Sequence, residues 1–200
     1  REMVERLPGR AQLDFEVLNF SRLTNRVFRK FGGLSYNYVK DSTKALMMWA
    51  TVKELAPFLS EYGNGKQTDN GISALMLKAV GELKAYLVTP AKLENIAEKL
   101  PDGSVLGKKL EDISLVYASY DALLHERYED ADDDMAKLSK ILETEDFFGG
   151  YNVYIDSYSS FTAEEYAVIF KIFKQGSVIS LSALRTANRI YLKVYSFKSE

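Results

Sequence analysis

The chain has 200 residues, 46% of them apolar, which is enough for one large domain or for a domain that carries an insertion. With a formal net charge of −2, the chain as a whole lacks the excess of positive charge that is typical of nucleic-acid-binding proteins. The absence of cysteine excludes disulfides, thiolate nucleophiles and cysteine-ligated zinc or iron–sulfur centres within these residues. It is compatible with a reducing cytoplasm, and we expect a cytoplasmic location.

The ends of the chain and its charge distribution add further expectations. The sequence has no apolar run of about 18 residues, so we predict no membrane span and no membrane partner. It begins with charged residues and without methionine, so we expect no signal peptide and a fragment of a larger protein. Residues 1–40 hold eight basic and four acidic side chains, whereas residues 121–146 hold ten acidic and three basic ones. The front of the chain is therefore basic and a later region acidic.

The first predicted unit is a strand followed by a helix. Apolar and polar residues alternate over 15–20, which is typical of a strand. Ser21 is predicted to cap the next helix, in which Leu23, Val27 and Phe28 recur at helical spacing. Gly32 and Gly33 are predicted to end that helix.

A long helical block follows. Apolar stripes predict helices over 42–62, 72–88, 104–128 and 132–143, with Pro57 bending the first of them. Thr89 and Pro90 predict a short helix, as its N-cap and first residue. The composition of 63–71 indicates a loop.

The second predicted β–α unit begins at residue 151. A short strand ends at Asp156, a helix starts near Thr162, and residues 177–181 form a further strand. The weak alternation over 190–197 fits a strand or a helix. The sequence thus predicts a helix-rich α/β fold: residues 1–34 and 149–200 form a parallel sheet layer, and residues 35–148 form a helical insertion. Phe20 and Asp156 are predicted to lie at matching ends of side-by-side strands.

Three segments carry a resemblance to a known family. They are residues 17–23 (VLNFSRL), 110–117 (LEDISLVY) and 154–162 (YIDSYSSFT). In order and separation they resemble the B subunit of the AddAB-type ATP-dependent helicase/deoxyribonuclease (AddB or RexB), over most of the chain. The resemblance implies part of a RecA-like domain, of the P-loop NTPase and superfamily 1 helicase type, with a large helical insertion. It also implies a role in processing DNA double-strand breaks, with DNA and the A subunit as partners in a heterodimer.

The same resemblance implies roles for individual residues. Asn19, Ser21 and Arg22 match helicase motif Ia, which contacts the single-strand backbone, so they are the expected DNA-binding residues. Asp156 matches the first acid of motif II, which is linked to magnesium, and is the tentative metal residue. Active helicases have glutamate at the next position, where this chain has Ser157. We therefore expect a degenerate motor, with no catalytic residue in these 200.

The resemblance also implies cofactors outside this segment. ATP and magnesium belong to the helicase fold, but the family's phosphate-binding loop would precede Arg1. The iron–sulfur nuclease domain would lie beyond Glu200. We therefore expect no cofactor in this segment and no ATPase activity from it alone.

Other polar patterns have simpler explanations. Residues 63–68 (GNGKQT) depart from a phosphate-binding loop, because Ser60 and Gln67 stand where glycine and Ser/Thr are required, and they fit a flexible loop. Asp130, Asp132, Asp133 and Asp134 are interpreted as solvated acids at a helix start. His125, the only histidine, is interpreted as an ordinary helix residue.

Three hypotheses on function remain open. The preferred one is a subunit with a degenerate helicase motor that binds or scans DNA during recombinational repair. The second is a working DNA-dependent ATPase, in which a residue outside this segment replaces the missing glutamate. The third is a non-enzymatic helical module that docks the partner subunit.

Overall fold

The structure, a computed structural model, describes residues 16–63, 70–156, 160–176, 178–182 and 193–198. Four strands are described: β1 (Glu16–Leu18), β2 (Tyr151–Asp156), β3 (Val178–Ser182) and β4 (Lys193–Lys198). The helices described are α1 (Phe20–Phe31), α2 (Asp41–Leu55), α3 (Asn70–Ala85), α4 (Pro90–Ala97), α5 (Val105–His125), α6 (Asp134–Thr144) and α7 (Ala163–Gln175). The expected helix-rich chain is confirmed. Over 193–197 the choice left open between strand and helix is decided in favour of a strand, and residues 190–192 lie outside the described part of the chain.

The caps confirm the prediction for Thr89 and correct it for Ser21, whereas for Ser104 and Thr162 the sequence predicts only that they lie near helix starts. Thr89 and Ser104 cap α4 and α5, each accepting a hydrogen bond from the backbone N–H three residues later. Thr162 caps α7 through a reciprocal capping box with Glu165. The cap of α1 is Asn19 and not Ser21 as predicted, because the helix begins at Phe20.

The four strands form one mixed sheet in the order β1-β4-β2-β3. β2 and β3 pair in parallel, whereas β4 is antiparallel to both of its neighbours, β1 and β2. The layer is therefore mixed where a parallel one was expected. The difference arises from β4, for which the sequence left the choice between strand and helix open. This strand lies between β1 and β2 and is antiparallel to both.

The chain divides into two compact units. The sheet unit comprises residues 1–34 and 134–200, and the helical unit comprises residues 35–133. The second boundary thus lies near residue 134 instead of 148, since α6 packs against α1 and α7. Its buried residues Leu138 and Leu142 join the core of the sheet unit.

Each unit has its own apolar core. The sheet unit buries α1, α6 and α7 residues against β2, namely Phe20, Leu23, Val27, Phe28, Leu138, Leu142, Phe148, Val153, Ile155, Val168, Ile169 and Ile172. The helical unit buries residues around α5, namely Val39, Met48, Val52, Leu59, Met76, Val80, Leu93, Val116, Tyr117, Tyr120 and Leu124. Among the described residues, none of the helices is long and apolar enough to cross a membrane.

Candidate nucleic-acid interface

The turn after β1 holds the three predicted DNA-binding residues. Asn19 adopts an extended backbone, and its Oδ1 accepts a hydrogen bond of 2.9 Å from the backbone N–H of Arg22. The side chains of Asn19, Ser21 and Arg22 are all exposed. The first turn of α1 carries no acidic residue, so its positive dipole end is not neutralised locally. This turn presents the guanidinium of Arg22 to solvent beside the N-terminus of α1.

The turn after β2 begins at the predicted metal residue. Asp156 is the last residue of β2, and its backbone pairs with Ser182 on one side and Lys193 on the other. Ser157 lies outside the described residues, so the motif II departure at Asp156 and Ser157 stays a prediction. Within the described part of the chain, no group of three or more acidic or histidine side chains could hold a metal ion.

The sheet register relates the two turns. Leu18 of β1 and Ile155 of β2 both pair with Val194, from opposite sides of β4. β1 and β2 are both antiparallel to β4, so they point the same way and their carboxyl ends meet at one edge. Two strand spacings of about 4.8 Å separate them by roughly 10 Å. Phe20 and Asp156 are therefore at matching ends, as predicted, but the strands are not side by side.

A basic stripe runs along the exposed side of α1. Arg22, Arg26 and Arg29 are spaced i, i+4 and i+7, so they lie on one helix face, and all three are exposed. Arg26 Nη2 is 3.2 Å from Glu16 Oε1, and both of these side chains remain largely exposed. A surface pair of this kind is weak and can give way to a phosphate. The α1 stripe belongs to the basic front end, whose described part also includes Lys30 and Lys40.

Part of the acidic region of the sequence pairs with two buried lysines. Asp130 is 1% exposed and forms salt bridges with the ammonium groups of Lys44 and Lys84. Each of these two lysines is only 7% exposed. Lys44 also lies 2.7 Å from Asp132, and Lys84 lies 2.8 Å from Asp121 and 2.9 Å from Asp133. We name this set the lysine–aspartate cluster: Lys44, Lys84, Asp121, Asp130, Asp132 and Asp133.

The pKa directions agree with this pairing. Burial acts to lower the pKa of both lysines, but the hydrogen bonds and charges of the aspartates outweigh it and raise each pKa above its ordinary value. Burial acts to raise the pKa of Asp130, but Lys44, the Asp132 amide and Lys84 together lower it. All three groups are therefore charged at neutral pH. The interpretation of the four aspartates as solvated is wrong for Asp130.

His125 is also more than an ordinary helix residue. Its Nε2 lies 2.8 Å from Asp133 Oδ2, and its Nδ1 lies 2.8 Å from the carbonyl oxygen of Asp121. Both neighbours can only accept, so both ring nitrogens donate when the histidine is protonated. Burial acts to lower the pKa of His125, but these acceptors and the charges of Asp121 and Asp133 raise it overall. The i, i+4 spacing of Asp121 and His125 was the one sequence signal for this contact.

The second segment of the resemblance contains a buried carboxylate that holds a turn. Asp112 of α5 is 3% exposed and accepts hydrogen bonds from the backbone N–H groups of Ser60, Glu61 and Tyr62 at 2.8, 2.8 and 3.1 Å. This turn leads into the glycine-rich segment, of which residues 64–69 lie outside the described part of the chain. Asp112 was missed as a structural residue, because its partners are about fifty positions away in the sequence.

Together, the described polar groups support binding better than catalysis. In the lysine–aspartate cluster each lysine is paired with aspartates, and the one described carboxylate beside the α1 stripe, that of Glu16, is paired with Arg26. Such an arrangement can attract and orient phosphate groups. A proton transfer or nucleophilic attack would need other residues.

Comparisons with known proteins agree on one family. The family model described as "ADDB, N-terminal" matches residues 1–191. The B subunit of the ATP-dependent helicase/deoxyribonuclease of Clostridioides difficile is 34% identical over 170 residues, which is 85% of this chain and 14% of that protein. The protein of the same name from Caldanaerobacter subterraneus subsp. tengcongensis is also 34% identical, over 84% of this chain and 14% of its own length. The chain therefore spans about one seventh of these relatives.

Proposed function

The chain belongs to the ADDB N-terminal family, and we propose that it is part of the B subunit of an ATP-dependent helicase/deoxyribonuclease that processes DNA double-strand breaks for recombinational repair. In this proposal the partners are DNA and the A subunit, which form a cytoplasmic complex with it. The relatives that carry this name support the proposal.

The observation that carries the DNA-binding part is the exposed basic face of α1. We propose that Asn19, Ser21 and Arg22 contact the backbone of a single DNA strand. Support comes from the N-terminus of α1, which opens at the carboxyl edge of the sheet with Arg22 exposed beside it. Helix N-termini and arginine are the usual partners of phosphate oxygens.

The test uses the full gene product together with its partner subunit. Each phosphate contact that is lost should reduce the salt slope of single-strand binding by about 0.7. We therefore expect Arg22→Gln to weaken binding and flatten the slope by about that amount. Lys109→Gln, an exposed charge change on α5, is the matched control and should leave both unchanged. Equal binding by wild type and the Arg22 variant would contradict the assignment.

We propose further that the motor is degenerate and has kept a RecA-like framework with a helical insertion. Ser157 stands where active helicases have the glutamate that positions the attacking water. Should ATP and magnesium bind, Asp156 is the residue proposed to lie near the metal, and an iron–sulfur cluster would belong to another part of the full-length protein. The alternative is a working motor, in which a residue outside this segment takes the glutamate's role.

ATP turnover separates these two hypotheses. A degenerate motor predicts no DNA-stimulated hydrolysis by the full gene product without its partner. It also predicts that Asp156→Ala leaves turnover by the complex nearly unchanged. A large loss of turnover in that variant would favour the working motor.

A second candidate function concerns the helical unit, which could dock the partner subunit. A groove of about 380 Å³ between α2 and α3 is lined by apolar side chains that include Ala45, Trp49 and Leu77. Beside it, Leu46 and Leu75 are more than half exposed. We expect Leu46→Glu to reduce complex formation in size-exclusion chromatography. Leu106→Glu, at an equally exposed position on α5, should not.

A further inference from the structure

A pocket of about 350 Å³ lies between the C-terminal half of α1 and the sheet. Glu16 at the start of β1 and Tyr151 at the start of β2 line it, so it is at the amino edge of these strands. The predicted DNA-binding residues lie at the other end of α1 and at the opposite edge of the sheet. We name this site the α1 pocket. Its volume is at the low end for sites that bind small ligands.

Cations form one wall of the α1 pocket. Arg26, Arg29 and Lys30 all line it, against the single carboxylate of Glu16. Glu16 pairs with Arg26, so the charges of Arg29 and Lys30 remain in excess. This excess favours an anionic ligand.

Aromatic rings form the other wall. Phe147 and Tyr151 have nearly parallel rings, with an interplanar angle of 15° and centroids 6.4 Å apart. Both are partly exposed. Lys30 Nζ lies 5.3 Å from the centroid of the Phe147 ring, which brings the cationic and aromatic walls together. Aromatic faces beside cations are the combination with which proteins bind unpaired bases and their phosphates.

The aromatic wall is held in place by a side chain of α7. Gln175 Oε1 accepts hydrogen bonds from the backbone N–H groups of Phe147 and Phe148 at 3.1 and 3.3 Å. Its Nε2 donates to the carbonyl oxygens of Leu142 and Glu145 at 2.6 and 2.8 Å. One amide therefore fixes the turn on both sides, so the Phe147 ring is positioned before any ligand binds.

We propose that the α1 pocket binds one unpaired nucleotide of a DNA strand, with its phosphate at Arg29 and Lys30 and its base against Phe147 and Tyr151. The proposal rests on the proposed DNA-binding function and extends it to a second contact. Arg22 and Arg29 lie on the same face of α1, about 10 Å apart along its axis. A strand held at Arg22 could follow the α1 stripe to the pocket.

The phosphate contact is tested with the full gene product in complex with its partner subunit. Fluorescence anisotropy measures the binding of a labelled single strand at several salt concentrations. Arg29→Gln should weaken binding several-fold and reduce the salt slope by about 0.7, as expected for one lost contact. Lys109→Gln is again the charge-matched control.

The base contact is tested with a strand that contains 2-aminopurine, whose fluorescence is quenched when the base stacks on an aromatic ring. Phe147→Leu should remove the quenching and weaken binding about tenfold, whereas Phe147→Trp, which keeps an aromatic face, should retain both. The Trp variant keeps an aromatic face and the Leu variant does not, so a loss confined to the Leu variant is assigned to stacking. Hydrogen exchange of the α6 and α7 amides verifies that both variants are folded.

The outcomes separate this inference from the proposed function. If Arg22→Gln weakens binding while the Arg29 and Phe147 variants bind like wild type, the inference is wrong and the proposed function stands. If the wild-type complex binds no single strand, the proposed function itself fails. If Arg29→Gln impairs assembly with the partner subunit and leaves DNA binding intact, the pocket takes an acidic protein segment and the inference is overturned.

Discussion

Among the described residues, the two units differ in how many charged side chains they bury. The described part of the sheet unit buries one charged side chain, Glu164 of α7, and exposes the three arginines of α1. The helical unit buries two lysines and two aspartates, Lys44, Lys84, Asp112 and Asp130, and ties each to a partner. In the helical unit the buried charges therefore help to specify how the helices pack, whereas the arginines of α1 in the sheet unit are accessible to a ligand.

The largest effect is expected at the centre of the lysine–aspartate cluster. Asp130→Ala removes the carboxylate shared by Lys44 and Lys84 and leaves two buried ammonium groups undercompensated. The expected loss of stability is about 3 kcal/mol or more. Hydrogen exchange of the α2, α3 and α5 amides in the full gene product measures it. Asp132→Ala removes a half-exposed partner of Lys44 and should cost less than about 1 kcal/mol.

Equal losses of stability in Asp130→Ala and Asp132→Ala would contradict the comparison between the two units. They would mean that the burial of Asp130 does not increase its contribution to stability. Protection of the α6 and α7 amides, which belong to the sheet unit, serves as the internal reference.

The next effect is expected at Asp112. Asp112→Ala would leave three backbone N–H groups of residues 60–62 without their acceptor, at a cost of about 2–3 kcal/mol. Exchange of these three amides should accelerate first, since Asp112 is their direct partner. Asp112→Asn keeps one oxygen as acceptor and should lose less. A variant in which these amides stay protected would show that the turn does not depend on the carboxylate.

A smaller effect is expected in the sheet unit. Thr162→Ala removes the N-cap of α7 and half of its capping box, which should cost about 1 kcal/mol. Thr162→Ser keeps the hydroxyl and is the control. The loss should appear in the exchange rates of the first-turn amides of α7. A cost as large as that of Asp130→Ala would contradict the view that the largest losses follow from removing a buried, paired charge.

The smallest effect concerns pH. The pKa of His125 is raised above its unfolded value of about 6.5, so its stabilising contribution is complete below that pH. The contribution is lost as the pH rises through the higher folded pKa. Because His125 is partly exposed, we expect only roughly 0.2–1 kcal/mol. His125→Gln should flatten the decline in exchange protection of α5 between about pH 6 and 8. An unchanged pH profile would exclude the histidine as its cause.

Local sequence signals predicted much of the fold. The cap at Thr89, the helix starts near Ser104 and Thr162, the strand ending at Asp156 and the helical block follow from capping groups, β-branched or aromatic runs and helical periodicity. The cap of α1 was misassigned by two residues, because Asn19 and Ser21 are both good caps and only the backbone course distinguishes them. The predicted DNA-binding residues lie in one turn simply because they are close together in the sequence.

The sequence by itself determined the family, the order of helices and strands, and the basic character of the first helix, since these depend on residue type and on spacings within a few turns. Tertiary structure decided that β4 runs between β1 and β2, that Asp130 lies between two lysines, and that Gln175 sets the aromatic wall of the α1 pocket. The partners in these contacts are between 28 positions apart, for Phe147 and Gln175, and 180 positions apart, for Glu16 and Ser196. Pairing at such separations depends on how the elements pack in three dimensions, and no local pattern of residues encodes it.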